Sequence, residues 1–197
     1  MSDGIADRGA APRGGETPPR DSDAAPRSSE TPPRDSHAPA LPTGLTHVRG
    51  DGSAHMVDIS AKAVTARQAS ARGRVLLSPN AIAALRDDTV PKGDALAVAR
   101  IAGLQAVKRT PDLVPLAHPV AVHAAAVELT VEDDGVTIDA TVRTADRTGI
   151  EMEALTAVTV AALALVDMVK AVDKHARITD VRVTAKSGGR SGDWTEA

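Results

Sequence analysis

The chain has 197 residues, a formal net charge of −3 and 42% hydrophobic residues, yet Trp194 is its single aromatic and it contains no cysteine. Such a length holds one domain, at most two, and the apolar fraction is enough for a core of Ala, Val, Leu and Ile. The missing cysteines exclude disulfides, thiolate metal sites and thiol nucleophiles, and a net charge of only −3 with almost no base-stacking aromatics argues against nucleic acid and membrane surfaces as partners.

Residues 1–44 differ in kind from the rest. They hold eight of the thirteen prolines, and "ETPPRDS" stands at 16–22 and again at 30–36. A segment so poor in large apolar residues cannot offset the entropy of ordering it, so a disordered N-terminal tail is expected, followed by one domain over 45–197. The first residues lack the apolar stretch of a signal peptide, and the longest apolar run, Ala157 to Val166, is short for a bilayer span. A cytoplasmic protein is expected.

From Val64 to Leu77 the chain has strand character with weak alternation. Ser78 followed by Pro79 reads as an N-cap and first helical position, opening a short helix. "GDALAVARIAGLQAVKR" repeats small apolar residues at helical spacing and runs to Pro111. Val127, Leu129 and Val131 alternate with polar residues, as do Val136, Ile138, Ala140 and Val142. Between them Asp133-Asp134-Gly135 makes the turn of a hairpin. Residues 150–172 form the long helix, and Val181, Val183 and Ala185 a last strand. Strand, helices, strand, strand, helix, strand is the split βαβ pattern: an α+β, ferredoxin-like antiparallel sheet with helices on one face.

The long helix opens with "TGIEMEAL". Glu151 and Glu153 sit about 200° apart around a helix, and both gain from the positive end of its dipole. A core stripe through Leu155, Val158, Ala162, Leu165, Val166 and Val169 leaves Glu153, Thr156, Val160, Leu163, Asp167 and Lys170 on the far side. A helix that is apolar nearly all round is buried on more than one side, so a second copy of the chain is the expected cover. Asp167 and Lys170 are helix-surface neighbours, but Asp167 lies fourteen residues beyond Glu153, about 21 Å along the axis.

"PLAHPV" puts His118 on extended backbone before Pro119; a lone histidine more often serves structure than chemistry, and His123 five residues on is a weak metal signal. "AKSGGRSGD", with Lys186 and Arg190, reads either as an anion-binding glycine loop or as a plain turn. Lys92, Lys108 and Arg109 bracket the helix that starts near Asp94.

Taken together, "SAHMVDISAK", "KGDALAVARIAGLQAVKRTPDLVPLAHP", "TGIEMEALTAVTVAAL", "DMVKAVDK" and "AKSGGRSGD" resemble, in order and spacing, the cyclic pyranopterin monophosphate synthases of molybdenum cofactor biosynthesis, the MoaC family, over residues 45–195. The resemblance implies a lyase that converts 3′,8-cyclised dihydro-GTP to cyclic pyranopterin monophosphate and releases pyrophosphate. It implies a hexamer, a trimer of dimers with active sites at subunit interfaces, and no cofactor beyond a Mg²⁺ ion that accompanies the triphosphate. By motif it makes Asp167, Lys170 and Lys92 catalytic. Substrate binding falls to Leu116, Ala117 and His118 of "LAHP", to Glu151, Met152 and Glu153 of "EME", to Lys108, Lys186 and Arg190, and to Asp58 and Lys62. Three positions depart from the family pattern. Ala117 stands where a cysteine is usual, so no thiol is required there. Arg147 and Arg190 stand for lysines, which keeps charge and changes geometry. The competing readings are a non-catalytic nucleotide-sensing module and an RNA-binding domain on the same fold; the missing aromatics count against the second.

Overall fold

The computed structural model describes residues 47–49 and 51–197; the expected tail, 1–44, lies outside the described residues. In chain order the elements are β1 (Thr65–Leu76), α1 (Pro79–Arg86), α2 (Ala95–Val107), α3 (Thr110–Leu113), β2 (Ala124–Val131), β3 (Gly135–Asp146), α4 (Glu151–Val169), β4 (Arg177–Ser187) and β5 (Trp194–Thr195). One antiparallel sheet runs β2-β3-β1-β4-β5. Its first four strands carry the ferredoxin-like order expected from the sequence. The hairpin is there as read, with Val131 opposite Val136 across the turn.

Alternation decides which face is covered. Ala69, Ala71 and Val75 of β1 and Val136, Ile138, Ala140 and Val142 of β3 are at most 1% exposed. Over them lies α4, packed on β1, β3 and β4, with α2 beside it against β2. Small residues let these layers close: a β-carbon at Gly103 would fall 2.9 Å from the Ala157 carbonyl, and one at Gly73 would fall 2.6 Å from Val158 Cγ1. The other sheet face is polar and laced with pairs, Arg72 with Asp139 at 2.8 Å and Arg74 with Glu132 and Asp134 at 2.9 and 2.6 Å.

Three local expectations need correcting. The helix from Asp94 stops at Val107 and does not run to Pro111. Residues Thr110–Leu113 make a separate helical turn with Pro111 in its first turn, where a missing N–H leaves nothing unpaired. The buried stripe of α4 is rotated from the one read in sequence: Glu153, Ala154, Ala157, Val158, Ala161, Ala162, Leu165, Met168 and Val169 are buried, and Leu155 and Val166 only half so. Alanine carried the signal, because only small side chains fit where α4 meets both the sheet and α2. Finally, α4 has 19 residues and a mean hydropathy of 1.8, enough by length and composition for a membrane span, but half of it is buried in this fold.

Beyond β4, Gly188 and Gly189 take φ of +84° and +78°, a reversal closed by the Asp193 carboxylate accepting from Gly188 N–H at 2.9 Å. The chain then returns as β5, where Trp194 pairs with Lys186.

Candidate active site

The paired glutamates sit at the start of α4, where the chain leaves β3 through Arg147, Thr148 and Gly149. No side chain caps this helix, so acidic residues in its first turn are what complement its exposed amides. Glu151 is held by Lys186 at 3.3 Å. Glu153 differs: it is 3% exposed, not on the solvent side where the sequence put it, and burial together with the charge of Glu151 pushes its pKa up. Glu153 therefore holds a proton more readily than an exposed glutamate does.

A cavity of about 650 Å³ opens over these two residues. Leu116, Ala117, His118, Met152, Lys62 and Arg190 line it with them, as do Thr148 and Gly149 and the preceding segment at Val57 and Ile59. Eight of the expected binding residues thus meet in one place. His118 Nε2 donates to the Val57 carbonyl at 2.7 Å, which fixes a proton on Nε2 and leaves Nδ1 for another partner. Sequence offered no sign of this bond, since Val57 contributes only its backbone. Arg147 Nε donates to the Lys62 carbonyl at 2.9 Å, so the segment 57–62 is strapped at both ends.

The remaining expected residues lie elsewhere. Asp58 lines a shallower neighbouring hollow, and its carboxylate accepts from Ser60 N–H at 2.8 Å; that backbone bond holds its pKa low. Lys108 is the exposed C-cap of α2 and lines none of these cavities. Lys92, Asp167 and Lys170 do meet, at the opposite end of α4. Lys92 Nζ donates to Asp167 Oδ2 and to its main-chain carbonyl, each at 2.8 Å, and Lys170 Nζ lies 2.7 Å from Asp167 Oδ1. Hydrogen bonds from Lys170 and then Lys92 pull the Asp167 pKa down to about 2, so this group is a carboxylate throughout the neutral range. None of the three lines the carboxylate cavity. In a single chain the two charged sets are held apart by the length of the helix.

A second cavity, about 630 Å³, adjoins the first through Lys62, Thr148, Gly149 and Arg190 and is lined further by Arg67 and Arg147. Arg67 was missed in the sequence; it stands on β1, outside the quoted motifs, and reaches the glycine loop only because the sheet places β1 beside β4.

Comparison with known proteins identifies the family. Residues 56–189 match the model of the MoaC family. The cyclic pyranopterin monophosphate synthase of Streptomyces coelicolor is 64% identical over 153 residues, which is 78% of this chain and 90% of that protein. The protein of the same name from Streptomyces griseus is 67% identical over 150 residues, covering 76% of this chain and 85% of its own. That from Chloroflexus aurantiacus is 53% identical over 152 residues, covering 76% and 93%.

Proposed function

The chain belongs to the MoaC family, and on that premise we propose that it converts (8S)-3′,8-cyclo-7,8-dihydroguanosine 5′-triphosphate to cyclic pyranopterin monophosphate, releasing pyrophosphate, in molybdenum cofactor biosynthesis. The observation that carries the reading is the continuity of a cavity bearing His118, Glu151 and Glu153 with one whose charged lining residues are all cations. A purine-derived ring offers amide and amino N–H groups to carboxylates, and a triphosphate needs positive charge around it.

In this reading the ring is held by Glu151, Glu153 and His118, with Leu116, Ala117 and Met152 as its apolar walls. Because Asp167 stays ionised, it accepts hydrogen bonds and keeps two ammonium groups in place; Lys92 and Lys170 then supply and recover protons as the purine ring opens and the pterin closes. The closing step joins a sugar hydroxyl oxygen to the α-phosphorus, breaks the bond from that phosphorus to the β-phosphate oxygen, and passes the hydroxyl proton to a nearby base. Lys186 and Arg190 neutralise charge on the phosphates. A Mg²⁺ ion accompanying the triphosphate would offset part of its charge; among the described residues no three His, Asp or Glu side chains converge.

We further propose that the site is completed between copies, in a hexamer built as a trimer of dimers, in the cytoplasm. Supporting this are the length of α4 between its two charged sets and the apolar side chains left open on the helix layer, Val98, Ile101 and Leu163 at 43%, 55% and 60% exposed.

The direct test is incubation of the pure protein with the cyclised dihydro-GTP, measuring pterin product and pyrophosphate; nucleotide returned unchanged would refute the activity. For sharing between copies, Glu153→Gln and Asp167→Ala chains, each inactive, are unfolded and reassembled together. Random assortment regenerates about one quarter of the sites, and no recovered turnover would refute the shared site.

A further inference from the structure

Asp167 and the two lysines on it do not hold themselves in place. The side chains of Lys92, Asp167 and Lys170 are 39%, 54% and 60% exposed, and ion pairs so open to water add little stability and fix long side chains poorly. Their backbones must be set by something else. Lys170 is the C-cap of α4, in helical conformation, and no glycine follows it before β4. The helix thus lacks its commonest stop. Val172 and Asp173 end it instead, their N–H groups both donating to the Val169 carbonyl, at 2.8 and 2.9 Å.

The Asp173 side chain carries that closure across to another element. It is buried, and one carboxylate oxygen spans 95 residues of sequence to accept from Ser78 N–H at 2.6 Å. The other accepts from His175 N–H at 2.8 Å, which fixes the turn after Lys170. Ser78 is the N-cap of α1. Past that helix, Thr89 N–H donates to the Ala84 carbonyl and Gly93 N–H to the Val90 carbonyl, each at 2.9 Å, with Val90 buried. Hydrogen bonds therefore run stepwise from Ser78 to the residue after Lys92. One buried carboxylate joins the turn bearing Lys170 to the segment bearing Lys92.

We propose that Asp173 is a positioning residue for the reaction: by tying the end of α4 to the start of α1, it keeps Lys170 and Lys92 converged on Asp167. The inference rests on the reading above that these lysines move the protons, and it adds to that reading a residue that acts only through backbone. Loss of the carboxylate leaves two N–H groups without their acceptor, and the turn relaxes to find others.

Three variants test this. D173N keeps the shape and one accepting oxygen. S78P removes the Ser78 N–H at a position whose φ of −67° suits proline, and S78A keeps that N–H and loses the hydroxyl. Each assembled variant is read below its melting range. In competitive acetylation followed by peptide mass spectrometry, Lys92 and Lys170 of D173N and S78P react about threefold faster than in wild type, relative to the exposed Lys108, because their charge-assisted contacts are loosened; S78A changes less. In turnover of the cyclised nucleotide, D173N and S78P lose about 10- to 100-fold in kcat with little change in KM, the scale of a small misplacement of reacting groups. A carboxylate that served stability alone would lower the melting temperature and leave acetylation and kcat at wild-type values, and that result overturns the proposal. So does a loss confined to KM. If S78P does not assemble, D173N alone decides by the same two readings. Faster acetylation in a protein whose wild type turns over no cyclised nucleotide keeps the brace and sinks the assigned activity. Turnover by wild type and D173N alike sinks the brace and leaves the activity standing.

Discussion

Gly73, at the middle of β1 beneath α4, gives the sharpest test of how the helix is seated. A β-carbon there would stand 2.6 Å from Val158 Cγ1 and 3.0 Å from Val181 Cγ2. That is about 1 Å inside the usual carbon–carbon contact of about 3.5–4.0 Å. Valine has one preferred χ1 rotamer in a helix, and Val158 is wholly buried, so Val158 cannot swing away, whereas Val181 on β4 is 36% exposed and can yield. Overpacking of this kind costs about 1–3 kcal/mol, and replacing a strand glycine returns about 0.5–1 kcal/mol. Gly73→Ala should therefore destabilise by about 1–2 kcal/mol. Val158→Ala alone leaves a hole and costs about 2–3 kcal/mol. Combined, the new methyl occupies the space vacated by the old ones, so the double variant should be at least about 1 kcal/mol more stable than the sum of the singles predicts. Urea unfolding at fixed chain concentration, read as a shift in midpoint at constant slope, measures this. An unchanged midpoint in Gly73→Ala, or strict additivity, would show that α4 is not clamped as described.

Three further outcomes are expected. Asp173, 5% exposed, accepts from the backbone N–H of Ser78 at 2.6 Å and of His175 at 2.8 Å; burial opposes its charge, but these donors prevail and its pKa is lowered. The stabilisation is complete above the unfolded value near pH 4 and fades as pH falls through the folded one, so Asp173→Asn should flatten the acid limb of the thermal midpoint; an unaltered limb contradicts this. Glu153, with its pKa raised, binds its proton more tightly when folded and so loses stability as pH rises above its unfolded value. Glu153→Gln should melt higher than wild type at pH 8 and show no such gain at pH 4, and equal differences at both would count against burial as the cause. Asp167→Asn should lower kcat by about 10²–10⁴ with assembly intact. Wild-type kcat/KM should show no acid limb from this group above pH 4, because its carboxyl titrates at about 2.

Much of this was legible in the residues, and the illegible parts share a cause. Period-two alternation and the Asp-Asp-Gly turn placed the hairpin, and Ser78 with Pro79 placed α1, because those signals are local. The buried stripe of α4 was misjudged by following Leu155 and Val166, when the close approach of α2 and the sheet at Gly103 and Gly73 favours alanine. His118, Glu151, Glu153, Lys62 and Arg190, each singled out by motif, line one cavity. It said nothing of Arg67, whose role depends on a strand neighbour more than a hundred residues away in sequence, nor of Val57, which works through a carbonyl. Lys108 and Asp58 matched by motif but are separated from the cavity by the geometry of a single chain.

The pairing of Trp194 with Lys186 at the sheet edge has a spectroscopic consequence. With no tyrosine or phenylalanine in the chain, all near-ultraviolet fluorescence comes from one indole, 46% exposed, on the strand that follows the glycine loop. An anion that draws Lys186 or Arg190 inward shifts that emission, so the native protein carries its own optical gauge of occupancy and needs no label.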